Sequence, residues 1–223
     1  DGPLKSEVTL KDGSVWKNVM TPEKAKVAET LQEFRGNYQY NLMDAHYRAM
    51  MAQVPMIAQW DDHETVNNWY PNEILADDRY TEKSVALLAA RANQAFHEYM
   101  PTGEWLVEPG RVYRKVSYGP LLDVFVMDFR SYRADNSGNR QAKRGPETAF
   151  WGAEQIAWLK REMLNSDATW KVIAADMPIG ILVRDGKEAF ENGANGDGPV
   201  LGREHDVAEL LSFIKSANMH NVV

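Results

Sequence analysis

At 223 residues and 25.3 kDa the chain is long enough for one sizeable core, and 44% hydrophobic content with seven tryptophans marks it as globular rather than disordered. The net charge of -7 and the lack of any long Lys/Arg run disfavour nucleic acid and anionic membrane surfaces as partners, whereas acidic clusters suit hard cations. No stretch approaches the roughly 20 apolar residues of a membrane span, no signal peptide stands at the start, and the absence of cysteine excludes disulfides and thiolate metal sites while leaving the redox compartment open.

In chain order, DGPLKSEVTLKDGSVWKN reads as a peripheral hairpin or loop with KDGS as its turn. A helix of about four turns is expected from the Thr21-Pro22 start signal to near Gly36, then a short one over about Leu42 to Gln53. VPMIAQW (54–60) is too short and too evenly apolar for an amphipathic helix and reads as a buried strand, which puts the charged residues after it at a strand's carboxyl end, where open α/β sheets bind ligands. Within 81–100, Val85, Leu88, Ala92, Ala95, Phe96 and Tyr99 share one helical stripe.

RVYRKVSYGPLLDVFVMDFRSYR suggests a hairpin turning at Gly119-Pro120, with Asp128 at its second strand's end, and the polar segment 134–149 reads as a mobile surface loop. A helix follows with Ile156, Leu159, Met163 and Leu164 inward; then a third buried strand, ATWKVIAADMP, ends in Asp176. ENGANGDGP is an irregular loop. REHDVAELLSFIKSAN places Val207, Leu210, Leu211 and Ile214 on one helical face, and MHNVV begins a further strand. Strands alternating with helices imply an α/β domain with a largely parallel sheet.

The chemical question lies in WDDHE: like charges repel and burial costs desolvation, yet Asp61, Asp62, His63 and Glu64 are consecutive. A cation resolves this, since carboxylates are hard ligands and an imidazole beside them either ligates or delivers a proton near neutral pH. Consecutive residues on a turn cannot all reach one ion, so one or two would ligate and the others support. The bland alternative is that Asp61 and Glu64 cap a helix start while His63 packs. Arg130 and Arg133 are candidate phosphate clamps, with ion pairing to Asp128 or Asp135 favoured for Arg133. Asn67 and Asn68 could contact a phosphate or a metal, or cap locally.

WDDHETVNNW, with DFRSYR and then GAEQIAWLKREMLNSDATWKVIAADMP, resembles the PhoD-type alkaline phosphatases of the calcineurin-like metallophosphoesterase superfamily along the whole chain. The resemblance implies a metallophosphatase-like α/β/β/α sandwich, with Asp62 in a metal-ligand slot and His63 in that of the residue acting on the phosphate. Asp176 stands where the superfamily carries a metal-binding histidine, and a carboxylate there would favour calcium, magnesium or manganese over zinc. The family's early Gly-Asp-x-x-Tyr and late Asp-Val-His segments are lacking, so residues 1–223 are expected to be the central portion of a single catalytic domain, incomplete at both ends.

Two ions, calcium, iron or manganese, are expected in the complete domain, where they activate water for attack on phosphorus. With about two ligands left, neither ion would be held tightly, and an inactive, metal-free fragment stays open beside an active one. The implied function is hydrolysis of small phosphate mono- or diesters by a periplasmic or extracellular enzyme, with the oligomeric state unspecified. A non-catalytic α/β module binding a cation or a protein is the alternative. A metal-dependent nuclease is a further rival, disfavoured by the negative charge.

Overall fold

The computed structural model describes residues 2–103 and 108–223. Its Cα packing separates two units, the first holding residues up to 58, 62–67 and 73–110, the second 59–61, 68–72 and 111–223. The elements make it a mixed α/β protein, as the sequence suggests.

The first unit opens on the expected hairpin. Strand β1 (Glu7–Thr9) pairs antiparallel with β2 (Val15–Lys17), and the turn closes because Asp12 Oδ1 accepts from the Ser14 N–H (2.9 Å) and hydroxyl (2.6 Å). The helix predicted from Pro22 is instead one 3-10 turn, Pro22–Lys24, and α1 spans Leu31–Asn41. A capping box explains the later start: Thr30 Oγ1 accepts from the Glu33 N–H while Glu33 Oε2 accepts from the Thr30 N–H. Gly36 does not end this helix. It sits buried inside it, because a Cβ there would fall on the Glu23 side chain.

Helix α2 (Ala45–Met51) is capped by Asp44, and α3 (Val85–Tyr99) by Ser84. The inward stripe of α3 is buried as expected at Val85, Leu88, Ala92, Ala95 and Phe96. It packs on α1, where Arg35 forks onto Glu98 with two 2.6 Å bonds and Tyr38 stacks on Tyr99 with centroids 5.2 Å apart. The buried Glu29 side chain accepts from the backbone N–H groups of Thr81 (2.5 Å) and Glu82 (2.6 Å), fixing the approach to α3.

The buried strand expected over 54–60 is absent. Residues 55–60 form no ladder, and Val54 and Ile57 are about half exposed, at 55% and 48%. Pro55 has no N–H to give, and an inner parallel strand would need both faces covered.

In the second unit β3 (Arg114–Tyr118) turns antiparallel into β4 (Leu122–Val126), with Gly119 at φ 64 supplying the left-handed turn residue. Helix α4 (Ala153–Leu164) carries the chain over to β5 (Trp170–Ala174), parallel to β4. The sheet is therefore mixed rather than largely parallel. Its free edge receives the residues before the chain's end: the Lys171 N–H donates to Asn221 O and the Val223 N–H to Lys171 O, both at 2.9 Å. The core gathers Phe125, Met127, Phe129, Phe150, Trp151 and Leu159. A small hairpin, β6 (Arg184–Asp185) with β7 (Ala189–Phe190), precedes α5 (Glu204–Ser216).

Two stripe positions depart from expectation. Leu164, the last residue of α4, is 61% exposed, and Leu211 is 57% exposed because α5 buries its Leu210 side instead. The segment 134–149 is not a free surface loop either. Asn139, 1% exposed, donates to Asn192 O (3.3 Å) and Gly193 O (3.1 Å) and accepts from the Arg203 N–H (2.7 Å), which pins the segment at its middle.

Candidate functional site

No strand leads into the acidic stretch, yet the second unit brings its start to the strand ends by another device. The Gln59 amide donates to Met127 O (2.7 Å) and Ala174 O (2.8 Å), which lie at the carboxyl ends of β4 and β5. Trp60 then packs edge-on against Trp69, at 5.6 Å.

Asp61 Oδ1 accepts from Arg130 Nε at 2.8 Å, and Arg130 Nη2 donates to Glu191 Oε2 at the same distance. Arg130 is 1% exposed, so contact with a substrate phosphoryl oxygen would require one of these pairs to open. Arg133 is buried as well. Its Nη2 donates to Asn136 Oδ1 (2.6 Å) and to the Glu191 carbonyl, in place of the ion pair expected with Asp128 or Asp135. Burial, helped by the positive charges of Arg203 and Arg130, lowers its pKa to about 9.

Beyond β4, Asp128 closes a turn: Oδ1 accepts from the N–H groups of Arg130 and Ser131 (3.0 Å each), and Oδ2 from the Ser131 hydroxyl (2.7 Å). Burial pushes its pKa up against these bonds. Asp176 follows β5, and its Oδ2 accepts from the Phe129 N–H (3.0 Å). Its Oδ1 is buried and has no hydrogen-bond partner. Burial, with the negative charges of Asp128 and Asp61 added, drives its pKa well above the carboxylate range.

An orphaned, crowded carboxylate oxygen is a donor suited to a hard cation. Among the described residues, however, no group of three or more His, Cys, Asp or Glu side chains is arranged to hold an ion. Asp176 belongs to the second unit and Asp62 to the first. These residues do not by themselves make a two-ion centre.

In the first unit, Asp62 to Asn67 form turns closed by Thr65 N–H donating to Asp62 O at 2.8 Å. Asp62, 7% exposed, accepts the His63 backbone N–H at Oδ1 (2.8 Å), and its Oδ2 lies 3.7 Å from His63 Nε2. The His63 side chain is 59% exposed. A solvent-facing imidazole backed by a buried carboxylate is arranged to exchange protons. Asn67 is exposed. Asn68, in the second unit at φ 56, donates to Asp185 Oδ1 (3.3 Å) and lends its carbonyl to Asn136 (2.8 Å), a structural use of its side chain.

Sequence reasoning missed Glu191 and Asn136, which complete the Arg130 and Arg133 pairings; both lie in stretches read only as loops. The raised pKa of Asp176 has a consequence for stability. The folded state holds that proton more tightly than the unfolded chain, so stability linked to it is complete below the ordinary value of 3.8 and is lost as pH rises through the folded value. Asp176→Asn keeps an acceptor for Phe129 and never ionises. Thermal melts should show it more stable than the parent at neutral pH and about level with it near pH 4. Asp61, Asp128 and Arg133 act on the same carboxyl, and the raised pKa of Asp128 leaves a residual slope of the same sign.

Comparison with known proteins gives a consistent result. The family model for PhoD-like phosphatases matches residues 1–223. Alkaline phosphatase D of Bacillus subtilis (strain 168) is 34% identical over 222 residues, taking in 92% of this chain and 36% of that protein. The solved structure of PhoD superposes with a TM-score of 0.70 at 28% identity, over 99% of this chain and 42% of that one. The chain thus spans well under half the length of the relatives it matches.

Proposed function

The chain belongs to the PhoD-like phosphatase family, and from that premise we propose that the protein hydrolyses phosphate esters, with His63 acting on the leaving oxygen. The observation that carries this reading is the exposed His63 imidazole beside the buried Asp62 carboxylate, inside the stretch that resembles the family. As water adds to phosphorus and the bond to the ester oxygen breaks, the imidazolium gives its proton to that oxygen, releasing an alcohol. Solvent then reprotonates the ring. Asp62, with Oδ2 3.7 Å from Nε2, orients the imidazole.

Asp62 and Asp176 remain this chain's candidate metal ligands, the unpaired Asp176 Oδ1 being the support for calcium, iron or manganese there. Asn67, exposed, is a candidate contact for the phosphate, and so is Asn68 if its link to Asp185 opens. Arg130 would act mainly by holding Asp61. Mono- and diesters both fit the proposal, as does work outside the cytoplasm, and residues 1–223 are read as the central portion of a single catalytic domain.

The test is release of nitrophenol from 4-nitrophenyl phosphate and bis(4-nitrophenyl) phosphate by the full-length gene product with calcium, manganese and ferric iron. Turnover on either ester is expected. A folded protein inert toward both in all three metals would overturn the reading.

A further inference from the structure

Asp61 and Asn68, the residues flanking 62–67, both belong to the second unit, and within that unit one connected set of polar bonds holds them. At the first end the Arg130 guanidinium donates to Asp61 Oδ1 (2.8 Å) and to the Trp69 carbonyl (3.4 Å), while the Trp69 indole N–H donates to Asp61 O (3.4 Å). The two bonds to Trp69 are long, so the returning end needs a firmer hold.

The β6–β7 hairpin supplies it. The two carboxylate oxygens of Asp185 accept one amide each, Oδ1 from Asn68 Nδ2 (3.3 Å) and Oδ2 from Asn136 Nδ2 (2.8 Å). Asn136 Nδ2 also donates to the Asn68 carbonyl (2.8 Å), so Asp185 grips Asn68 directly and through the amide it orients. Asn68 sits at φ 56, a conformation that a residue other than glycine keeps when its surroundings impose it. From Asn136 the bonds run on to Arg133 Nη2 (2.6 Å), from that guanidinium to the Glu191 carbonyl, and from the Glu191 carboxylate back to Arg130 (2.8 Å). Arg130, Arg133 and Glu191 are at most 7% exposed, so the inner part of this ring is costly to open, and partly exposed Asp185 closes it from the hairpin.

We propose that Asp185 is a positioning residue for ester hydrolysis: by holding Asn68 it fixes the second end of the stretch that carries Asp62 and His63, so the imidazole meets the leaving oxygen already ordered. The kinetic part of this rests on the hydrolase reading, whereas the anchoring is measurable without substrate.

In the full-length protein, Asp185→Ala should lower kcat on phenyl phosphate by about tenfold to a hundredfold with KM nearly unchanged, and by less on 4-nitrophenyl phosphate, whose leaving oxygen needs no proton. Asp185→Asn, which keeps one acceptor oxygen, should lie between parent and alanine variant, and it decides on the same readouts should the alanine variant unfold. In a His63→Ala background Asp185→Ala should change kcat by less than about twofold, because the group it positions is gone, whereas a merely structural role would cost the same with or without the imidazole. Hydrogen exchange should show the Thr65 amide, bonded to Asp62 O, opening about tenfold faster in Asp185→Ala, with the amides of β4 unchanged. Glu188→Ala, on the hairpin's exposed turn, should match the parent throughout. Parental or higher kcat in Asp185→Ala, or an equal proportional loss with and without His63, would overturn the proposal. Parental exchange at Thr65 would overturn the anchor whatever the activity, and faster exchange there in a protein whose parent turns over no ester would uphold the anchor and overturn the hydrolase reading instead.

Discussion

His63→Ala should lower turnover of phenyl phosphate, whose leaving oxygen is only weakly acidic, by about 10²–10⁴-fold with KM changed little, the range expected when a positioned proton donor is removed. Truncation leaves the fold intact: the side chain is 59% exposed, and the turn is held by the Asp62 carbonyl and carboxylate accepting backbone N–H groups. The loss should shrink as the leaving group becomes more acidic, because a good leaving oxygen needs no proton. Asp62→Asn should also lower turnover, since it removes both the charge beside the imidazole and one of the two candidate metal ligands. Steady-state kinetics across a series of substituted phenyl phosphates checks both points. An alanine variant with parental turnover across the series would remove His63 from the chemistry.

Gly202→Ala should be the most destabilising single-methyl change, at about 3–5 kcal/mol, because it combines two separate penalties. Gly202 has φ 56, a left-handed conformation in which side chains are strained, and its added Cβ would stand 2.5 Å from the Asn139 carbonyl oxygen and against Asn139 Oδ1. That amide bonds the Arg203 N–H, and the Arg203 guanidinium, fully buried, donates to the carbonyls of Asn192 (3.1 Å) and Asp135 (3.3 Å). Displacing Asn139 therefore leaves buried polar groups without partners. For a chain of this size the midpoint of thermal unfolding should fall by roughly 10 °C. Gly196→Ala is the control. It too has positive φ, at 83, but its Cβ would meet nothing within 4 Å, so it should cost only about 1–2 kcal/mol of backbone strain. Equal melting of the two variants would show that the Asn139–Arg203 network yields without cost.

What could be read from the sequence follows from how local each cause is. The α3 stripe, the β3–β4 hairpin at Gly119 and the β5 strand depend on periodicity and turn chemistry within a few residues, and they form where expected, although β5 is only partly buried, with Trp170 exposed, rather than the buried strand its sequence suggests. The 54–60 strand failed because an apolar run becomes a strand only if a partner pairs with it, which composition does not encode. Gly36 misled for a similar reason: glycine usually signals a helix end, but here it admits Glu23, a neighbour brought in by tertiary packing. By contrast, Asp185-Gly186 is a hairpin signal that was available and overlooked, as was the Thr30-to-Glu33 capping box.

At the candidate site, residue types were legible and pairings were not. Asp62 and His63 stand out as candidates through the resemblance of WDDHETVNNW to the family, not through their adjacency alone. That Arg130 would be spent on Asp61 and Glu191, or that Asp176 would keep one oxygen unpaired, depends on segments far apart in the chain.

The Gln59 amide has a consequence for how this fold tolerates change. Because a side chain grips the Met127 and Ala174 carbonyls, the placement of Trp60 and Asp61 is decoupled from the backbone path that precedes them. Residues 54–58 are thereby released to act as slack: their composition can drift without moving Asp61 away from the ends of β4 and β5, provided the amide two positions before it is kept.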